Sequence, residues 1–143
     1  IHDLADISIA TELFGKTFSS PFFINAMTGG SEKSQKINQE LAMVARQTGL
    51  MIATGSVSAA LKDPSVASSY TVMRKEYPEG FLLANIGAGV SFENAQKAVD
   101  LFDANALQIH LNAPQELVMP EGDRHFSHWL YEIEKSLLIL KFL

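Results

Sequence analysis

Two hydrophobic periods alternate along the chain. Residues 21–25 (PFFIN), 50–54 (LMIAT), 81–86 (FLLANI) and 106–111 (ALQIHL) are short, nearly continuous apolar runs, the pattern of strands buried on both faces. Between them the period lengthens to that of a helix. Over 31–47, Ile37, Leu41, Val44 and Ala45 fall on one face, and Gly49 supplies the stop. After the Lys62-Asp63-Pro64 turn, a second helix over 65–75 turns Val66, Tyr70 and Met73 inward and ends before Pro78. Ser91 caps a third helix to about residue 102, with Ala95, Ala98, Val99 and Phe102 as its core face. A fourth is expected over 126–135.

Four strand-helix units in series predict an α/β fold with a parallel sheet and right-handed crossovers. They amount to the first four β/α units of a TIM (β/α)8 barrel, the N-terminal half, spanning residues 1–135. The tail 136–143 (SLLILKFL) is atypically apolar and reads either as a buried fifth strand or as a truncated or non-native end that promotes association. A flavodoxin-like open sheet is the competing architecture. It would gather ligand groups at one switch point, whereas here every strand ends in a small or polar cluster: residues 25–30 (NAMTGG), 54–56 (TGS), 85–89 (NIGAG) and 110–112 (HLN). One rim lined by all four strands is the expectation.

Composition narrows the function classes. The chain has 143 residues, of which 47% are hydrophobic and 19% charged, the profile of a soluble globular domain. A formal net charge of −5 argues against nucleic acid as a partner. Local cations at Lys62, Arg74, Lys75 and Arg124 remain available for an anionic small molecule. The absence of cysteine excludes disulfides, thiolate metal sites and a cysteine nucleophile, and fits a reducing, cytoplasmic setting. No apolar run approaches the roughly 20 residues of a membrane span, so no membrane partner is expected. The start at Ile1, without Met or a basic leader, reads as missing its natural beginning.

The richest chemistry lies in residues 107–124, LQIHLNAPQELVMPEGDR. An apolar run opens there into an imidazole, amides and a carboxylate, a set able to orient a substrate, hold a divalent cation and move protons. On composition alone, His110 reads as well as a hydrogen-bonded core histidine and Glu116 as a solvated loop carboxylate. Gly29-Gly30 and Gly87-Ala88-Gly89 let a backbone approach a flat or phosphorylated ligand, although ordinary loop glycines look the same. The third glycine of a dinucleotide fingerprint is missing.

Four segments in order, PFFINAMTGG, MIATGSVSAAL, LLANIGAG and ALQIHLNAPQELVMPEGDRHF, resemble the type 2, FMN-dependent isopentenyl-diphosphate delta-isomerases. The resemblance covers most of residues 14–135. It implies a barrel that uses reduced FMN and Mg2+ to interconvert isopentenyl and dimethylallyl diphosphates, with NADPH reducing the flavin. It places Ala26, Met27, Thr28, Ser56 and Asn85 against the flavin, and Ser56, Val57, Ser58, His110, Asn112 and Gln115 against the substrate. Gln115 and His110 become the catalytic pair and Glu116 the metal ligand.

Three departures accompany the resemblance. Many members carry Arg where this chain has Ser58, the family's basic N-terminal diphosphate contact is absent, and no counterpart of the later barrel strands follows Lys135. An open half-barrel predicts self-association into a homo-oligomer. The alternative function is therefore a non-catalytic half-barrel that folds by self-association; a relative of the FMN-dependent 2-hydroxy-acid oxidases would require a late Arg and His pair that this sequence lacks.

Overall fold

Ser31 opens the first long helix with a reciprocal cap: its hydroxyl accepts the Ser34 N–H at 3.1 Å, and the Ser34 hydroxyl accepts the Ser31 N–H at 3.0 Å. This helix, α1 (Glu32–Thr48), ends at Gly49, whose φ of 68° is the left-handed cap that glycine adopts without penalty. The computed structural model describes residues 3–139, with side chains through residue 137. Before α1 stands the short strand β3 (Phe23–Ile24), and after it β4 (Met51–Ser56). β5 (Leu82–Gly87) and β6 (Ala106–His110) complete a four-stranded sheet in the order β3-β4-β5-β6. All three pairings are parallel, with Ile24 opposite Ile52, Ile52 opposite Leu82, and Gly87 opposite His110. Sequential order without a reversal lacks the switch point of a flavodoxin-like sheet. The barrel expectation is met only in part, because the sheet is open, with β3 and β6 as its edges.

The two faces of the sheet differ. Ile52, Leu82, Ala84 and Ile86 are buried beneath the helices, with Leu107 and Ile109 packed beside them. Those helices are α1, α3 (Ser68–Glu76) and α4 (Phe92–Asp100), accompanied by the short α2 (Ser58–Lys62) and α5 (Ala113–Val118) and by α6 (Trp129–Ile139). Strand alternation turns Asn85, Gln108 and His110 toward the opposite face. At the amino end of that face Met51, Phe81 and Ala106 form a second apolar cluster with Phe18 and Leu83.

Phe18 belongs to a hairpin that the hydrophobic pattern does not predict. β1 (Thr11–Leu13) and β2 (Lys16–Phe18) pair antiparallel around Phe14 and Gly15, both at positive φ (54° and 69°), the backbone of a tight two-residue turn. Phe14 stacks on Phe81 at 5.1 Å and Phe18 meets the same ring edge-on at 5.5 Å. The hairpin thus covers the sheet at the end remote from the strand carboxyl termini.

Three expectations are corrected. α1 buries Ser34, Asn38, Ala42 and Ala45, leaving Ile37 and Leu41 half-buried and Val44 48% exposed; small side chains, with Asn38 hydrogen-bonded across the interface, let it lie close to α3. Arg74 is not a ligand-seeking cation. Its guanidinium donates to the carbonyls of Phe102, Pro78, Gly80 and Asp103 and to Asn105 Oδ1, stitching loops at the amino end of the sheet. Burial lowers its pKa, partly offset by Asp103, but an arginine keeps its charge throughout. Finally, residues 136–139 continue α6 rather than forming a strand, because Ser136 extends the helical register of Trp129 into the core, both being buried. Residues 140–143 lie outside the described residues.

Candidate functional site

Parallel strands deliver their carboxyl ends to one side of a sheet. Two adjoining cavities, of 420 and 400 Å³, open on that side. Ser56, His110 and Gln115 line both. The first continues past Ser58, Lys62, Asn112, Glu116 and Asp123, and the second past Asn25, Ala26, Met27, Asn85 and Gln108.

Ser56 is fixed from below and from beside. Its carbonyl accepts the Tyr70 hydroxyl at 2.7 Å, and its hydroxyl donates to that of Ser58 at 3.1 Å. Burial raises the Tyr70 pKa, which keeps that phenol a donor. Asn85, only 3% exposed, is the hub of the open face. Its backbone N–H donates to Thr54 Oγ1 at 3.3 Å, its Nδ2 donates to Gln108 Oε1 at 2.8 Å, and its Oδ1 lies 3.0 Å from His110 Nδ1. Gln108 in turn donates to Asn25 Oδ1 at 3.0 Å. Amides thus link three strand ends.

After β6 the chain turns into α5. Asn112 caps it by accepting the Gln115 N–H at 3.3 Å, and its Nδ2 donates to Gln115 Oε1 at 2.5 Å, so the neutral amide pair holds Gln115 at the junction of the two cavities. Gln115 Nε2 also touches Met119 Sδ at 3.3 Å. One Glu116 oxygen accepts the Asp123 N–H at 2.8 Å; the other is left to a ligand or solvent. Arg124 donates to the carbonyls of Glu116, Met119 and Gly122. That commits to the turn a guanidinium that the sequence offered to an anion, and leaves Lys62 as the cationic side chain lining the first cavity among the described residues.

Asp123 closes the wall. It accepts the His125 N–H at 2.8 Å and the Trp129 indole N–H at 3.3 Å, with His128 at 3.6 Å. These donors, the His125 amide foremost, lower its pKa. Across from it, a side chain at Gly89 would bring its Cβ to 3.0 Å from Trp129 Nε1 and 3.3 Å from Asp123 Oδ2. Glycine there keeps the wall within reach of the strand end.

Two of the sequence-derived candidates sit differently. The Thr28 hydroxyl donates to Asn38 Oδ1 at 2.6 Å, turned toward α1, and Thr28 lines neither cavity; its carbonyl receives the Gly55 N–H at 2.9 Å. The Val57 side chain is fully buried in the helix-facing core, and its N–H and carbonyl are used by Asn85 and Ala60. Conversely, Gln108 and Asp123 belong to the site and were not singled out. Strand alternation from His110 was the signal for Gln108; nothing local pointed to Asp123 beyond its place in the EGDR turn.

No family model matches the chain. It is 54% identical over 133 residues to a protein of Streptomyces sp. (strain CL190) named isopentenyl-diphosphate delta-isomerase, covering 93% of this chain. The chain is a homologue of isopentenyl-diphosphate delta-isomerases. Relatives of the same name occur in Latilactobacillus sakei, 54% identical over 91% of the chain, and Listeria monocytogenes, 49% identical over 94%. The chain spans 37% of the length of each of these three isomerases. The residues that build the cleft therefore lie within the stretch that is similar to these isomerases. Among the described residues no helix is long and apolar enough to cross a membrane.

Proposed function

We propose that this chain supplies the first four β/α units of a flavin-dependent isopentenyl-diphosphate isomerase, whose remaining length closes the open sheet into a (β/α)8 barrel. The homology carries the isomerase reading, and favours it over a non-catalytic self-associating scaffold. The observation that supports the site is the meeting of His110, Gln115 and Ser56 at the boundary of two cavities on one strand-end rim.

The residues suit the implied groups. A flat heteroaromatic ring needs a glycine-bordered wall and amides for its polar edge, and the second cavity offers Gly55 beside Ala26, Met27, Asn25, Asn85 and Gln108. When bound there, reduced FMN would supply an electron-rich face and an exchangeable proton for a redox-neutral shift of the double bond, NADPH serving to reduce it. Among the described residues no group of three His, Asp or Glu could hold a metal by itself. Glu116 with one uncommitted oxygen fits Mg2+ that completes its shell with diphosphate oxygens and water.

The chain's own residues would then divide the work. Glu116 anchors the cation, which reverses the sign of an acidic cleft toward an anionic substrate. Asn112 and Lys62 bound the diphosphate end. Gln115 has no useful pKa and cannot be a general base; held by Asn112, it orients the alkenyl group. His110, which lines the same two cavities as Gln115, would bound that group as well, and Trp129 with Met119 on the first cavity would exclude water from developing positive charge.

The test replaces the matching stretch of the Streptomyces relative with this chain and assays dimethylallyl diphosphate formation with FMN, reductant and Mg2+. Turnover that Glu116→Gln reduces at least a hundredfold supports the reading. A folded chimera that neither retains FMN nor turns over overturns it.

A further inference from the structure

The amide chain across the strand ends has a direction, and that direction reaches His110. A backbone N–H can only donate, so the Asn25 side-chain atom 2.8 Å from the Ala26 nitrogen is the oxygen. That same oxygen faces the Gln108 side chain at 3.0 Å, so Gln108 must present its NH2 group there. Gln108 Oε1 consequently turns to Asn85, which must answer with Nδ2 at 2.8 Å. Asn85 is left with Oδ1 toward His110 Nδ1 at 3.0 Å, and an acceptor demands a proton on that nitrogen. At its centre the chain is shielded, since Asn85 is buried and its backbone N–H is held by Thr54. Flipping any one amide sets two acceptors or two donors face to face.

We propose that Asn25 and Gln108 are positioning residues that fix His110 as the Nδ1–H tautomer, so that Nε2 is a bare acceptor when the ring is neutral and a donor only when it is protonated. Nε2 is the ring nitrogen nearest the position of a Gly87 Cβ, at 3.5 Å; Gly87 lines the first cavity and His110 lines both. Resting on the isomerase reading, one consequence follows. Neutral His110 presents a lone pair to the alkenyl end of the substrate, whereas imidazolium His110 presents a proton there. The charged groups on the first cavity beside His110 are Lys62, Glu116, Glu121 and Asp123.

Long-range 15N–1H correlation spectra of the 143-residue chain at a pH of about 8.5, where imidazoles are neutral, read the tautomer directly. The expected spectrum shows His110 protonated at Nδ1. Gln108→Leu should move most of the population to Nε2–H, the form a free imidazole prefers. Gln108→Glu retains an acceptor toward Asn85 and should restore Nδ1–H, which a merely space-filling role would not do. An Nε2–H signal in the unsubstituted chain, or an unchanged Nδ1–H in Gln108→Leu, overturns the proposal while leaving the isomerase reading intact. Failure of the chimera above removes only the consequence for the substrate.

Discussion

The Tyr70 hydroxyl reaches through the core to the backbone carbonyl of Ser56, 2.7 Å away. A helix residue with no exposed surface thereby sets the height at which Ser56 enters the cleft. Tyr70→Phe leaves that carbonyl without its partner and should cost about 1–3 kcal/mol, read as a lower urea midpoint at unchanged slope. Burial raises the Tyr70 pKa. The folded value exceeds the unfolded one, so the contribution is complete below the ordinary tyrosine range and fades as pH rises through the folded pKa. Alkaline unfolding should therefore show a Tyr70 component that Tyr70→Phe lacks.

Gly55→Ala tests how closely the first two strand ends approach. A Cβ on Gly55 would stand 2.6 Å from the carbonyl carbon and oxygen of Thr28, and both are backbone atoms that cannot swing aside. Overpacking of this kind costs about 1–3 kcal/mol or more. The expected result is a thermally weakened chain, checked by circular dichroism, with loss of the Gly55 to Thr28 hydrogen bond visible as faster exchange of the Gly55 amide.

Trp129 is the one tryptophan of the sequence and reports on Asp123. The Asp123 carboxylate has a lowered pKa because it accepts the His125 amide and the indole N–H. A depressed folded pKa means that its hold on the 123–129 turn is present above the ordinary aspartate value and is lost as pH falls through the folded one. Indole fluorescence should shift on acidification below the usual carboxylate range, and Asp123→Asn should flatten that transition. An identical acid transition in the variant would refute the assignment.

Arg74→Ala should destabilise the fold by about 1.5–3 kcal/mol or more, the scale of hydrogen bonds to a charged donor, because several loop carbonyls lose their common partner. The chimeric enzyme should keep its KM for isopentenyl diphosphate at temperatures where it stays folded. A raised KM with normal stability would return Arg74 to the ligand role its charge first suggested.

The 143-residue chain alone, given FMN, dithionite, Mg2+ and isopentenyl diphosphate, should form no product at a rate near the 1 per second of ordinary enzymes. The proposed reaction would need flavin and diphosphate held together at sub-ångström accuracy, and the chain spans 37% of the length of the Streptomyces relative it matches. Appreciable turnover by the chain alone would refute this.

What was legible in the sequence follows from how local each signal is. β4 and β5 are apolar on both faces, and α1 carries its own start in Ser31 and stop in Gly49, so these elements could be placed from their residues alone. The β1–β2 hairpin escaped because its strands are three residues each and mostly exposed; its apolar side is defined by packing on the cluster around Phe81. α5 escaped because Asn112 and Pro114, a cap and a first-turn proline, resemble a loop when only six residues follow. The strand-end clusters were visible as composition, but direction was not. Thr28 turns to α1 because a buried Asn38 amide needs an acceptor and a donor there, and Val57 turns inward because β4 has already passed into α2. Such choices are made by groups distant in sequence.

The sequential strand order has a consequence for how the protein is made. Each strand of the sheet from β4 onward pairs with the strand synthesised just before it, and each intervening helix packs on a layer already in place. Within this open sheet β4, β5 and β6 each find a partner already synthesised. Among these four strands loop-closure entropy is met in short instalments, so the rim that gathers Ser56, Asn85 and His110 can be assembled one strand end at a time, from the amino terminus forward.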